Sequence, residues 1–242
     1  DPNVISEFEA MGIPMMQGYG MTENSPIIAV NQDRYGKAAS VGKPMPGTEV
    51  RIVDDDESGI GEVICKGPSV MMGYYKDAEN TAKTIKDGWL YTGDYGYLDE
   101  DGFLYITGRK KNVIVTKGGK NIFPEEVEYY LLLSDFISEV IVYGKHEEVK
   151  GDLICTAIMY PDYTALENAG CAGYMTDEEK YRKLKEAVEE ANSKMPPFKR
   201  VKRIEIREDD FIKTTTLKIK RFEEENYDYK FDDRDFEKGR RF

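Results

Sequence analysis

The chain has 242 residues, of which 40% are hydrophobic and 33% charged, with a formal net charge of -12. That length suits one large or two ordinary soluble domains, the acidity argues against a general nucleic-acid binder, and no apolar run reaches the length of a transmembrane helix. Cys65, Cys155 and Cys171 lie far apart, which gives neither a disulfide framework nor a zinc signature and suggests a reducing, cytoplasmic setting. The single histidine, His146, sits in the polar stretch YGKHEEVKGD and reads as an exposed loop residue, so a His-based metal cluster is excluded.

Residues 1–16 predict the end of a helix and then a short strand at about 13–16. The opening DPNVISEFEA is acidic and has neither an initiator Met nor a signal-peptide core, so it reads as an interior stretch of a longer chain. QGYGMTENSP (17–26) follows, with two glycines around a tyrosine and a Thr-Glu pair behind them. Such a turn suits a ligand: glycine admits close approach, tyrosine offers a flat face, threonine a hydroxyl and glutamate a charge for a metal. Thr22-Glu23 also suits a helix start. From 27 to 108 the pattern is mostly that of β-structure. EVRIV (49–53) and GEVICKG (61–67) are strands around the turn DDDESG, and 88–108 reads as strand, turn at Asp99–Gly102, strand. The acidic DEDG lacks the spaced ligands of a calcium loop, so a hairpin turn is the better account.

The texture changes after Gly108. Pro124 opens the helix PEEVEYYLLL, with acids in its first turn. EVIVYGK (139–145) and DLICTAIMY (152–160) are strands that can pair through the loop at 144–151. Thr176 and Glu179 form a capping-box pattern. The helix behind them puts Tyr181, Leu184, Val188 and Ala191 on one face and ends before Met195-Pro196-Pro197. RIEIR (203–207) is a further short strand. This β–α–β–β–α–β order predicts a small α+β domain from about 110 onward, while 223–242 is charged and aromatic without a clear period. Charge is uneven as well. RKKNVIVTKGGK (109–120) holds five basic residues and no acidic one, and 194–221 holds ten basic and four acidic. Two basic islands in an acidic chain suggest local handling of anions such as nucleotide phosphates. Lys199 and Arg200 are candidates for that task on charge alone.

Three blocks then carry a family resemblance: QGYGMTE (17–23), YTGDYGYLDEDGFLYITGRKKNVIVTKGGKNIFPEEVE (91–128) and TTTLKIKR (214–221). Their order and spacing resemble the adenylate-forming (AMP-binding) superfamily. The chain looks like the C-terminal part of a long- or medium-chain fatty-acid–CoA ligase, along all but about its last twenty residues. The resemblance implies an α+β fold. A β-rich, distorted-barrel remnant of a large N-terminal domain would span 1–110, and a small mobile C-terminal domain 111–242. It also implies a reaction that joins a carboxylic acid to ATP as an acyl-adenylate and passes the acyl group to coenzyme A. Carboxylate and triphosphate repel, so cations must offset that repulsion in the transition state.

By the same resemblance, Tyr19 matches the aromatic against adenine and Gly20 the backbone beside the nucleotide. Thr22 matches a phosphate contact, Glu23 the carboxylate that helps hold Mg²⁺, and Asp94 and Arg109 the ribose contacts. Lys218 matches the mobile catalytic lysine and Lys111 the pivot between two arrangements of the small domain. Gly118 matches the glycine that approaches pantetheine, with Lys120 near a coenzyme A phosphate. The implied partners are ATP, Mg²⁺, coenzyme A and a carboxylic acid. There is no nucleic acid and no transmembrane segment, and a fatty-acid substrate leaves room for peripheral membrane contact.

Two departures stand out. The family usually has Gly before the catalytic lysine, and this chain has Leu217. The family's Ser/Thr/Gly-rich phosphate loop and most of the acyl-pocket domain are not among these 242 residues, so the chain alone is expected to be inactive. Two alternatives stay open: a standalone module that binds a nucleotide, coenzyme A or a protein without catalysis, and a piece of an aryl-acid or amino-acid adenylating enzyme.

Overall fold

A computed structural model describes residues 2–32, 36–146, 153–169, 176–215, 217–221 and 231–232. It divides into two compact units, Asp1–Lys111 and Asn112–Phe242. In the first, α1 (Pro2–Ala10) precedes β1 (Gly18–Gly20), β2 (Ile27–Val30), β3 (Lys43–Pro44), β4 (Glu49–Val53) and β5 (Gly61–Lys66). Then come α2 (Ala78–Thr84), β6 (Ile85–Lys86), β7 (Trp89–Leu98) and β8 (Leu104–Arg109). β1, β2 and β3 form one antiparallel sheet, and β4-β5-β7-β6 a second, with β8 also on β7. The sheets curl as an antiparallel half-barrel. Val41 N donates to Leu104 O (2.9 Å) and Leu104 N to Gly42 O (2.8 Å), tying the segment before β3 to β8.

The β7–β8 hairpin forms where expected. The Asp99 carboxylate accepts from Asp101 N (3.0 Å) and Phe103 N (2.9 Å), so the acid closes the turn by bonding local backbone. Lys37 pairs with both Asp99 and Asp101, which offsets part of the charge at the acidic tip. Among the described residues no cluster of three metal-ligating side chains occurs.

In the second unit β9 (Ile114–Val115) and β10 (Asn121–Ile122) form a small hairpin ahead of α3 (Pro124–Leu131), which opens on its proline with Glu125 and Glu126 in the first turn. β11 (Ile137–His146) and β12 (Leu153–Pro161) are antiparallel, α4 (Tyr163–Ala169) and α5 (Asp177–Ser193) follow, and β13 (Arg203–Ile206) runs parallel to β12. β14 (Phe231–Asp232) adds to β13. The capping box at Thr176 and Glu179 is present in both directions, fixing the start of α5.

The sheet's two faces do different work. Val140, Val142, Ala157, Met159 and Ile204 face Val127 and Leu131 of α3 and Leu184, Val188 and Ala191 of α5. The alternate residues Ile141 and Ile158 pack on Phe211, with Ile219 partly buried against them. Period-two alternation thus gives one face to the helices and the other to the segment that carries Lys218.

Some expectations need correction. The strand placed at 13–16 lies instead at 18–20, because Gly18–Gly20 has β2 to pair with whereas 11–16 stays exposed. Residues 78–84, read as part of a β-region, form α2, whose start is fixed by Asp77 accepting from Asn80 N (3.0 Å). α4 was not anticipated. His146 ends strand β11 rather than lying in a loop, and its side chain is outside the described residues. So are Cys171 and, apart from 231–232, the tail. Cys65 and Cys155 are buried free thiols, and burial pushes both above the ordinary thiol range. No helix among the described residues is long and apolar enough to cross a membrane.

One ion pair anchors the Lys218 segment. Arg221 bonds both oxygens of buried Glu128, one at 2.6 Å, and its other nitrogen reaches Val142 O (3.2 Å), while Val142 N donates to Glu128 Oε1 (2.6 Å). Val142 sits on β11, an outer strand of its sheet, so the pair also occupies outward-facing backbone groups. Burial raises the Glu128 carboxyl above its usual range, and Arg221 pulls it back. Arg221→Met should destabilise the chain by about 2–4 kcal/mol at neutral pH, since it strands a buried carboxylate. With Arg221 gone the carboxyl's folded value rises further. The loss is then full above that value and fades as pH falls and Glu128 becomes neutral. Urea melts of both chains at pH 7 and pH 5 measure this.

Candidate functional site

In the first unit the decisive group is Asp94. It lies on β7 directly opposite Arg109 of β8 and is 5% exposed. Arg109 Nε meets its Oδ1 at 2.8 Å, and the hydroxyl of Tyr19 donates to its Oδ2 at 2.6 Å. Asp94 N donates to Thr92 Oγ1 (3.1 Å), which itself donates to Val63 O (2.7 Å). Tyr19 is half-buried on β1, and its ring packs against both cores of the unit, near Ala29, Leu104, Cys65 and Leu90. Burial first, and then the Asp94 charge, push its phenol far above the ordinary range, so it stays a donor.

Beside it the chain reverses between Gly20 and Pro26. Met21 N donates to Pro26 O (2.7 Å), Thr22–Asn24 make a single 3-10 turn, and Ser25 sits in the left-handed region at φ 55°. Buried Asn24 fixes this turn through Ile27 O (2.8 Å) and Ser69 Oγ (3.2 Å). A Cβ on Gly20 would lie 1.9 Å from Pro26 O, so the reversal itself requires glycine there. Thr22 is exposed, and the Glu23 carboxylate accepts from the Tyr74 hydroxyl at 2.9 Å.

At the end of β8, Lys110 pairs with buried Glu62 (2.6 Å), whose other oxygen accepts from Gly93 N (3.2 Å) next to Asp94. Lys111 is exposed and closes the first unit.

In the second unit two hairpin loops share one bonding scheme. In TKGGK, Thr116 N donates to Lys120 O (3.0 Å), Gly119 N to Thr116 O (2.9 Å) and Lys120 N to Thr116 Oγ1 (3.0 Å). In TTTLK, Thr214 N donates to Lys218 O (2.8 Å), Leu217 N to Thr214 O (2.9 Å) and Lys218 N to Thr214 Oγ1 (3.2 Å). Each loop places its fourth residue in the left-handed region, Gly119 at φ 72° and Leu217 at φ 60°. Lys120 and Lys218 are both exposed just behind it. Apart from its own chain neighbours, no described residue of the second unit comes within 4 Å of a Cβ built on Gly118, so that unit would accept a side chain there. Lys199 is bound to Glu126 (2.6 Å), so its charge is already paired within the protein.

Family models match two stretches of the chain. Residues 1–75 match the AMP-binding enzyme model and residues 111–226 the AMP-binding enzyme C-terminal domain. The chain belongs to the AMP-binding enzyme family.

A long-chain-fatty-acid–CoA ligase of Mycobacterium tuberculosis is 35% identical over 224 residues, which is 88% of this chain and 36% of that protein. A 2-succinylbenzoate–CoA ligase of Geobacillus sp. is 41% identical over 156 residues, 62% of this chain and 32% of that one. The chain thus spans about a third of the length of the curated relatives it matches. Among solved structures, o-succinylbenzoate CoA synthetase of Bacillus subtilis with its acyl-adenylate intermediate matches 94% of this chain and 44% of its own. Its TM-score is 0.78 at 26% identity. The same enzyme with ATP and magnesium ion scores 0.74 at 28% identity, over 93% of this chain and 44% of its own.

Of the residues expected to serve an AMP-binding site, the structure brings Tyr19, Asp94 and Arg109 into one bonded group, with Gly20, Thr22 and Glu23 in the adjoining turn. Gly118, Lys120 and Lys218 belong to the second unit. A lone carboxylate such as Glu23 suits Mg²⁺, which keeps several waters and takes its other ligands from substrate phosphates. Sequence reasoning missed Asn24, Glu62 and Tyr74, which hold the predicted residues in place. Glu62 lies in the predicted strand GEVICKG, and nothing in that stretch of sequence marks it as a buried structural acid. Asn24 and Tyr74 had no periodic signal.

Leu217 is 79% exposed, so it loses no packing when replaced. A left-handed leucine costs about 1–2 kcal/mol, and glycine's extra unfolded-state freedom takes back part of that. Leu217→Gly should therefore stabilise the chain by roughly 0.5–1 kcal/mol, read as a higher midpoint in denaturant.

Proposed function

We propose that the chain is part of an AMP-forming acid–CoA ligase whose nucleotide is gripped at Asp94. The observation that carries this is the buried Asp94 carboxylate set between Tyr19 and Arg109, beside a turn that offers Thr22 and Glu23. An ionised carboxylate accepts two hydroxyls at once, which suits a ribose diol. In this proposal the Tyr19 ring lies against adenine, Thr22 contacts phosphate, and Arg109 adds a ribose contact. Magnesium, when bound, would offset triphosphate charge, with Glu23 as its protein ligand.

The first step forms a bond from the acid's carboxylate oxygen to the α-phosphorus and releases pyrophosphate. The second has the coenzyme A thiol take the acyl carbon and release AMP. Lys218 is the cation that steadies the first transition state, from a loop held by Ile219 and Arg221. Lys111 is the pivot, at the boundary between the two compact units. Gly118 faces the pantetheine arm, and the open space around its missing Cβ among the described residues of its unit supports a ligand-based reason for glycine. Lys120 meets a coenzyme A phosphate.

We take the acid to be a fatty acid, on the resemblance in TENSPIIAVN and NIFPEEVE and on the relative that aligns with 88% of the chain. Two buried free thiols suit a cytoplasmic setting.

Lys218→Ala in a complete enzyme should lower acid-dependent pyrophosphate release by about 10²–10³, the scale of losing one transition-state donor. Thioester formation from supplied acyl-adenylate should stay within about threefold, because that step does not use the lysine. Equal loss of both half-reactions would sink the assignment. The 242 residues alone should release no pyrophosphate, since the family's Ser/Thr/Gly-rich phosphate loop is not in their sequence. A pyrophosphate assay on the purified chain decides that point.

A further inference from the structure

We propose that the hydroxyl of Tyr19 is a positioning group that fixes the Asp94 carboxylate for the nucleotide's ribose, so that Tyr19 sets discrimination between ribose and deoxyribose. The inference rests on Asp94 as the ribose acceptor, and it assigns the tyrosine a task separate from the ring face laid against adenine.

The terminal torsion of an aspartate is broad, so a carboxylate on its own turns easily. Here each oxygen has its own donor, Tyr19 Oη on Oδ2 at 2.6 Å and Arg109 Nε on Oδ1 at 2.8 Å. Two donors on different oxygens set the plane of the group. They are not equally firm, because the Arg109 side chain is 53% exposed whereas Tyr19 is packed against both cores of its unit. The tyrosine is the rigid member of the pair. Burial and the Asp94 charge keep its phenol protonated across the working pH range, so it donates throughout. The aspartate backbone is fixed separately, by Thr92 and by the ladder to β8. Removing the tyrosine hydroxyl therefore takes from Oδ2 the donor that is packed into the core and leaves Arg109 on Oδ1, so the carboxylate plane is held less firmly while its Cα stays in place. A vicinal diol needs both acceptors aligned, and a rotated carboxylate recognises it little better than a single hydroxyl.

The test uses the complete protein in which these residues occur. Acid-dependent pyrophosphate release is measured with ATP, 2′-deoxyATP and 3′-deoxyATP for the wild type, Asp94→Ala and Tyr19→Phe. A further protein carries 4-aminophenylalanine at position 19, which restores a donor. The wild type should prefer ATP, and Asp94→Ala should abolish that preference. Tyr19→Phe should reduce the preference in kcat/KM by about fivefold or more, with kcat/KM falling further on ATP than on 2′-deoxyATP, as expected for one lost orienting bond. The amine should restore most of it. A thermal melt accompanies each protein. If Tyr19→Phe does not fold, 4-fluorophenylalanine, similar in shape to tyrosine and without a donor, takes its place.

Loss of the preference in Asp94→Ala with full retention in the non-donor variants overturns the role given to Tyr19. A wild type without preference, or an Asp94→Ala protein that keeps it, overturns the ribose assignment of Asp94 itself.

Discussion

A carboxylate inside a protein must be given donors, and Asp94 is where the first unit meets that demand. Burying an ionised acid without partners costs several kcal/mol, so its surroundings must hold steady. Three strands answer: β7 supplies the acid, β8 the guanidinium directly across the ladder, and β1 the phenol. Around this group the smaller features fall into place. The reversal from Gly20 to Pro26 keeps Tyr19 at the end of β1, and Asn24 pins that reversal from below. Glu62 holds Gly93 and Lys110, the chain neighbours of Asp94 and Arg109. A site of this kind is rigid before any ligand arrives, which is what electrostatic recognition requires.

The second unit is organised by a sheet rather than by a charge. Its helices cover one face, and the segment from Phe211 to Ile219 covers part of the other. The Lys218 loop is therefore carried on the core through Ile219 and tied at its far side by Arg221. The ammonium itself is exposed. That division, a fixed base under a free tip, is how a long lysine side chain stays adaptable without loosening its backbone.

Much of this could be read from the residues. The alternation in 49–53 and 61–67, the hairpin at Asp99, the proline opening α3 and the capping box at Thr176 are local signals, and each formed where it was placed. Other features depend on partners distant in sequence. Residues 13–16 look as strand-like as 18–20, and only the presence of β2 decides between them. α2 is seven residues long, too short for a period to emerge from DAENTAKT. The chemical types in the candidate site were legible because motif and spacing coincide. What holds them was not, since Glu62, Asn24 and Tyr74 act across separations of 31, 45 and 51 residues. Charge on its own gave no sign that Lys199 is paired with Glu126.

The twin hairpins at Thr116–Lys120 and Thr214–Lys218 differ in kind at their left-handed position, where one has glycine and the other leucine. Equal bonding on paper then means unequal lifetimes. The leucine loop lies closer in free energy to its open form, so the amide of Lys218 should exchange with solvent sooner than that of Lys120. Two lysines behind the same pattern of loop bonds would thus be kept on different clocks, and the faster clock belongs to Lys218.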